Sequence, residues 1–254
     1  MNSIAPVAVA SLTLALLGCS SLANEISHDR SVQSHVHRVL ALPATGNLNV
    51  KNVAGSVNVV AWNAPRAQVD AVVYGRSIDE IRNTAVDVHL DGDSLVVETT
   101  YPHDGASGAS VDYTIHVPAG AGVRVANVAG DIAVDGTHAA VEVADTSGNV
   151  VVRNVDGDLK IATTAGNADA SVLDIAAGGR VSVSTVSGSV RLHVPRSTSA
   201  RVTAGSVAGS FSSDFPVRSK RDFVGVSASG TLGSGAATIH IETVSGSIAL
   251  LASK

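Results

Sequence analysis

Three histidines near the N-terminus, His28, His35 and His37, are the first residues whose type and spacing suggest chemistry. His35 and His37 share one face of an extended segment. Two imidazoles so placed hold a metal only with a third ligand and hydrogen-bond partners behind them. No further ligand cluster stands nearby, so an exposed polar stretch is expected, and His89, His103, His116, His138, His193 and His240 are scattered. Asp91-Gly92-Asp93 and Asp156-Gly157-Asp158 offer paired carboxylates. A calcium loop needs more oxygen ligands at fixed spacing, so turns are expected there instead. Gly92-Asp93-Ser94-Leu95 has the letters of an esterase nucleophile string, but no downstream Asp-x-x-His accompanies it. Gly225-Val226-Ser227-Ala228-Ser229-Gly230 misses the G-x-S-x-G spacing by one residue. No catalytic residue, cofactor site or metal site is assigned. The net charge of −5 and pI near 5.9 argue against a nucleic-acid partner. The basic run Arg218-Ser219-Lys220-Arg221 is expected to be a solvated loop.

What must position any surface chemistry is a repeat. Gly55, Gly130, Gly148, Gly166, Gly188, Gly209, Gly230 and Gly246 each follow an apolar residue by seven places and precede another by two. Examples of the apolar pairs are Leu48/Val57, Val123/Ile132, Val141/Val150 and Phe223/Leu232. Ala or Ser precedes every one of these glycines, and Ser, Asp, Asn or Thr follows. That is bend chemistry, because glycine admits positive φ and short polar side chains bond the adjacent backbone. The flanks alternate with period two, as in Val123-Arg124-Val125, which marks short half-buried strands. The phase of the alternation changes across each glycine, so a bend must absorb one residue to keep one face inward. Each unit therefore reads as strand, glycine bend, strand. Gly136, Gly157 and Gly179 are candidates for the opposite bends.

Coils of this length bury their Val, Ile and Leu ranks by stacking on one another. The fold class that follows is all-β: a β-helix or solenoid-like stack of short strands with an N-terminal β-rich cap. An antiparallel sandwich also has many short strands, but its hairpin loops usually differ, whereas this bend recurs at one phase. Aromatic residues are only 3% of the chain, so the core is thin and β-branched.

Ile4 to Gly18 is an apolar run too short to span a bilayer, as in a signal peptide. Leu16-Leu17-Gly18-Cys19 resembles a bacterial lipobox. That resemblance implies that Cys19, the single cysteine, is lipid-modified and becomes the first mature residue. Ser20 lacks the aspartate of inner-membrane retention, so an outer-membrane destination is expected. Cleavage after Ala23, giving a soluble periplasmic or secreted chain, is the alternative. The organisation expected is a signal peptide over 1–18, a tether over 19–34, a β-rich cap over 35–118 and the repeat solenoid over 119–254.

Three features together carry a family resemblance. They are the first repeat with its following strands, the strand Tyr113-Thr114-Ile115-His116-Val117-Pro118, and the serial units Asn127–Ile132, Thr185–Val190 and Thr243–Ile248. On these the chain resembles the DUF4097 family, whose members carry the label of candidate adhesins, over about residues 36–252. The resemblance implies a β-helical exported protein and supplies no catalytic residues. The expected function is a non-enzymatic cell-envelope protein, lipid-anchored in the membrane, that acts as an adhesin-like or interaction scaffold for an envelope protein or a glycan. A periplasmic envelope-stress or signalling accessory is the second reading. A carbohydrate-active β-helix enzyme is the third.

Overall fold

The computed structural model describes residues 32–101, 108–221 and 225–253. The 1–18 signal segment, Cys19, His28, His103 and Phe223 lie outside those residues. So does the 19–34 tether, except that Val32 already opens the first strand.

That strand is β1 (Val32–Leu40), followed by β2 (Asn47–Lys51), β3 (Val57–Trp62) and β4 (Ala67–Gly75). A short helix, α1 (Ile78–Asn83), comes next, and the Ser77 hydroxyl caps it by accepting the Glu80 amide. β5 (Ala85–Asp91) and β6 (Ser94–Thr100) pair as a hairpin whose turn holds Gly92 at φ +58°. β7 (Ser110–Pro118) ends this segment.

Four strand pairs follow: β8 (Gly122–Ala129) with β9 (Ile132–Asp135), β10 (Val141–Ser147) with β11 (Val150–Asp156), β12 (Leu159–Ala165) with β13 (Ala168–Asp174), and β14 (Arg180–Ser187) with β15 (Val190–Val194). Then come β16 (Ala200–Ala208) and β17 (Phe211–Ser213), the hairpin of β18 (Arg218–Arg221) and β19 (Val226–Thr231), and a last pair, β20 (Ala237–Ser245) and β21 (Ile248–Ala252).

Each coil gives one strand to each of two facing sheets. One sheet runs β1-β4-β7-β3-β9-β11-β13-β15-β21-β17, the other β18-β19-β16-β20-β14-β12-β10-β8-β2-β6-β5. The inner strands are parallel and in register next to the bends, with one irregularity between β11 and β13 after Val152, so Val123, Val141, Leu159, Val181 and Ile239 stand in one column. Ile132, Val150, Ala168, Val190 and Ile248 form the matching column of the other sheet. All ten are buried, so the apolar pairs flanking the bends are the core itself. Removing each Val, Leu or Ile side chain among them from water is worth about 1.5–3 kcal/mol. The expected β-solenoid is therefore the fold, and β2 and β3 of the 35–118 segment stack directly on β8 and β9 as its first coil. Antiparallel strands close both ends: β4 on β7, β1 on β4 and β5 on β6 at one, β19 on β16 and β18 on β19 at the other.

Chain order and stacking order differ. The last coil, β20 with β21, lies between β14/β15 and β16/β17, so the chain leaves a slot and returns to fill it. This gives β20 and β21 parallel neighbours on both sides, and the β18–β19 hairpin covers the outer coil in their place.

The bend glycines form a column of their own. Gly55, Gly130, Gly148, Gly166, Gly188 and Gly246 have φ between +113° and +156°. A Cβ built on Gly130, Gly148, Gly166, Gly188, Gly246 or Gly209 would collide with the carbonyl oxygen of the glycine stacked beneath it. The hydrogen-bond ladder continues through the corner: the Gly130, Gly148, Gly166 and Gly188 amides donate to Ser147, Ala165, Ser187 and Ser245. Gly230 does not belong to this column. It lies inside β19, opposite Val202 in an antiparallel pair, and its nearest neighbour is Val217. The small-Gly-polar string there is an accident of a Ser/Gly-rich hairpin strand. At the opposite bends Gly136, Gly157 and Gly178 take positive φ, Gly178 doing so in place of Gly179.

Two glycine substitutions separate these cases. Gly166→Ala, at φ +149° under the Gly148 carbonyl, should lower stability by about 3 kcal/mol or more. Gly205→Ala, within β16 and with open space at its Cβ, should raise it by about 0.5 kcal/mol. Urea midpoints of the two variants against wild type measure both effects, and equal midpoints would contradict the column.

Candidate functional site

The glycine corner fixes the direction of every side chain next to it. Three positions before the glycine, the side chain points inward: Asn52, Asn127, Asp145, Thr163, Thr185, Thr243 and Ser206 are all buried. Most of them serve the glycine carbonyls. Asn127 Nδ2 donates to the Gly55 and Gly130 oxygens, Thr185 Oγ1 to Gly166, Thr243 Oγ1 to Gly188 and Ser206 Oγ to Gly246. At the first coil Asn52 Nδ2 reaches the Ala54, Gly55 and Val111 carbonyls, and its Oδ1 accepts from Thr99, whose hydroxyl also meets the buried Tyr113. Burial pushes the Tyr113 phenol up to about 12, so it stays neutral in this network.

One position after the glycine, the side chains bond up the stack. Asp131 Oδ1 accepts from the Asn149 backbone amide at 2.8 Å and its side-chain amide at 3.2 Å. Asn149 Oδ1 accepts from the same two groups of Asn167, and Asn167 Oδ1 accepts the Ser189 amide. The regular polar residues after the glycines thus have structural partners.

Two positions before the glycine, the side chain faces water. In stacking order these residues are Val53, Val128, Thr146, Thr164, Val186, Val244 and Val207. The five valines are 44–51% exposed. At the ~4.8 Å spacing of neighbouring strands the row is roughly 29 Å long. Small residues flank it, Ala or Ser before each glycine and Ala126, Ala144, Ala162 and Ser184 on the outer face of the sheet. At the far end Val186, Val244 and Val207 border a shallow groove of about 510 Å³ that Ser184, Gly205 and Glu242 also line. Sequence reading did not single out this ridge. Its signal was present, since Val or Thr stands two residues before each glycine of the column, but the corner puts that residue outside and the polar one before it inside, the reverse of the usual apolar-in pattern.

The other candidate residues fall into structural roles. His35 and His37 lie on β1 as expected of an extended segment; the His37 ring meets Asp70. The Gln68 amide and then His37 hold the Asp70 carboxyl below its ordinary range. Among the described residues no three His, Cys, Asp or Glu side chains come together as metal ligands would. Asp91 and Asp93 flank the β5–β6 turn, and Asp158 Oδ1 accepts the Arg180 amide at 2.8 Å. Ser94 starts β6, and Ser227 and Ser229 lie in β19. Arg218–Arg221 is not a loop but the exposed edge strand β18, because it pairs with β19. On the outer face of the eleven-stranded sheet Glu142 bridges Lys160, at 2.8 Å, and Arg124, and these cations hold its carboxyl below the usual range. The arrangement suits contact with another surface through a flat apolar and hydroxyl-bearing ridge.

The sequence pattern of the Toastrack DUF4097 family matches residues 40–251. A candidate cell adhesion protein from Clostridium sporogenes has a similar structure, with a TM-score of 0.53 and 11% identity, over 87% of this chain and 100% of that one. A candidate adhesin from Bacteroides fragilis gives 0.45 at 12% identity, over 86% of this chain and 97% of that one. The likeness of fold rests on the first of these. No curated protein matches in sequence.

Proposed function

The chain belongs to the Toastrack DUF4097 family, and from that premise we propose that it is a non-enzymatic, adhesin-like interaction scaffold of the cell envelope. It is exported, and a lipid on Cys19 holds it at the outer membrane. The observation that carries the interaction role is the exposed ridge. A soluble surface gains nothing by presenting five valines in one row, two at one end and three at the other of a pair of threonines, and exposed apolar patches of this kind mark contact sites. The stack holds the ridge rigid, so little ordering entropy is lost on this side of the contact when a partner docks. The polar ladder beside it adds hydrogen-bonding groups at the same spacing. The Clostridium sporogenes protein, of similar fold and described as a candidate in cell adhesion, supports the same role. The lipid anchor rests on the sequence Leu16-Leu17-Gly18-Cys19 and on Cys19 being the single cysteine.

Each part has its own test. In cells fed labelled palmitate, wild type should be labelled and Cys19→Ala should not; equal labelling would remove the anchor. For the ridge, Val186→Asp, Val207→Asp and Val244→Asp are combined, with circular dichroism to check that the sheets persist. Crosslinking in intact cells should recover roughly tenfold less of the envelope protein or glycan captured by wild type. Unchanged recovery would contradict the ridge as the contact surface.

A further inference from the structure

Most of the buried residues three places before the glycines follow one rule, and one member cannot follow it as an ion. Along the stack four members donate to the carbonyl of the glycine in the coil beneath: Asn127 to Gly55, Thr185 to Gly166, Thr243 to Gly188, Ser206 to Gly246. All of those are amide or hydroxyl donors. In the coil of β10 the position is taken by Asp145, which stands in register between Asn127 and Thr163. Its side chain is 6% exposed, and neither carboxyl oxygen has a hydrogen-bond partner. Asn127 Oδ1 and Thr163 Oγ1, in the ranks on either side, are also buried without partners. An ionised carboxylate only accepts hydrogen bonds. The carbonyl that the row assigns to this position, that of Gly130, also only accepts. Two acceptors facing each other in a dry interior are unfavourable, whereas a neutral carboxylic acid supplies the missing O–H.

We propose that Asp145 is carried in the folded protein as a neutral carboxylic acid that donates its proton to the Gly130 carbonyl, which makes the stack a pH-sensitive element that is tighter in mild acid than at neutral pH.

The electrostatic surroundings agree. Burial is the chief cause that pushes the Asp145 carboxyl up to about 6, and the like charge of Asp131 adds to it. The Thr146 and Ser147 amides oppose the rise, though neither reaches hydrogen-bond geometry with it. Its neighbours on β8 and β12, Asn127 and Thr163, carry no charge, and Asp131 of the bend beneath is the charged group that acts on it. A carboxyl raised in the folded state contributes stability that is fully present below its unfolded value of 3.8. That contribution falls as pH rises toward about 6 and is gone above it. The difference of about two pH units corresponds to about a hundredfold in the folded-to-unfolded ratio.

The test compares wild type with Asp145→Asn, which keeps the shape and supplies a permanent donor as Asn127 does, and with Asp145→Thr, the residue type of the next two coils. Urea unfolding at steps from pH 4 to pH 7.5 cancels the other carboxylates in the difference between proteins. Wild type should lose about fiftyfold in folding constant relative to either variant between pH 4 and pH 6.5, with little further change above. Parallel pH profiles would overturn the proposal. Carbon-13 titration of the Asp145 carboxyl in wild type tests it without any substitution: a midpoint near 6 is expected, and one below about 4.5 would overturn it. Stabilisation of wild type but not of Asp145→Asn by calcium or sodium at pH 7.5 would also overturn it, since the group would then be an ionised cation ligand.

Discussion

Everything in this molecule depends on one close approach: at Gly130, Gly148, Gly166, Gly188, Gly246 and Gly209 the carbonyl oxygen of the glycine in the coil beneath fills the space that a Cβ would need. Parallel strands stack at ~4.8 Å in the straight segments, and a solenoid must keep that spacing through its corners as well. With any side chain at the corner the coils would be forced apart, and both sheets would lose register at once. Glycine at positive φ removes the Cβ and lets the backbone ladder pass through the bend unbroken, from Gly130 to Ser147 and from Ile132 to Asn149. The neighbouring positions follow from that geometry. The carbonyl of the bend glycine takes a donor from the buried residue three places before the glycine of the next coil in the stack, and the residue after the glycine closes the outer edge with a ladder of its own. The residue two places earlier has nowhere to go but outward.

Much of this was legible in the sequence because the constraint acts on local residue type. The spacing of Gly130, Gly148 and Gly166 and the alternation of Val123-Arg124-Val125 are enough to give coils and faces. Asp91-Gly92-Asp93 as a turn is likewise short-range chemistry. Stacking order was not legible. Val181, Ile239 and Val202 are interchangeable as core residues, and Thr185-Val186-Ser187-Gly188 matches Thr243-Val244-Ser245-Gly246 residue for residue. Nothing local tells a coil which neighbour it meets, so the return of the last coil to an inner slot is a property of the whole chain. Gly230 misleads for the complementary reason, since a hairpin strand rich in Ser and Gly spells the bend motif without the stack that gives it meaning.

The surface was the least legible part, and the reason is physical. The binding proposed for the ridge asks for no catalytic side chain with a perturbed environment, only for a repeated ordinary one on the exposed side of a corner. Valines 128 and 186 look like core residues in a sequence where most valines are core. A rigid parallel stack turns such residues into a ruler. Contacts that are individually weak add when the scaffold spaces them identically, because the ordering has been met in folding. The interior thus serves the surface directly: whatever loosens the glycine column also blurs the ridge.

The most direct test of that dependence is native-state hydrogen exchange, residue by residue, at the bend. The amides of Gly130, Gly148, Gly166 and Gly188 are bonded across coils, so they should exchange only with global unfolding, as slowly as the amides of Val143 and Ile161 in the strands. Exchange of these glycines at the rate of an open turn, while the strands stay protected, would show that the corners are not what holds the coils in register.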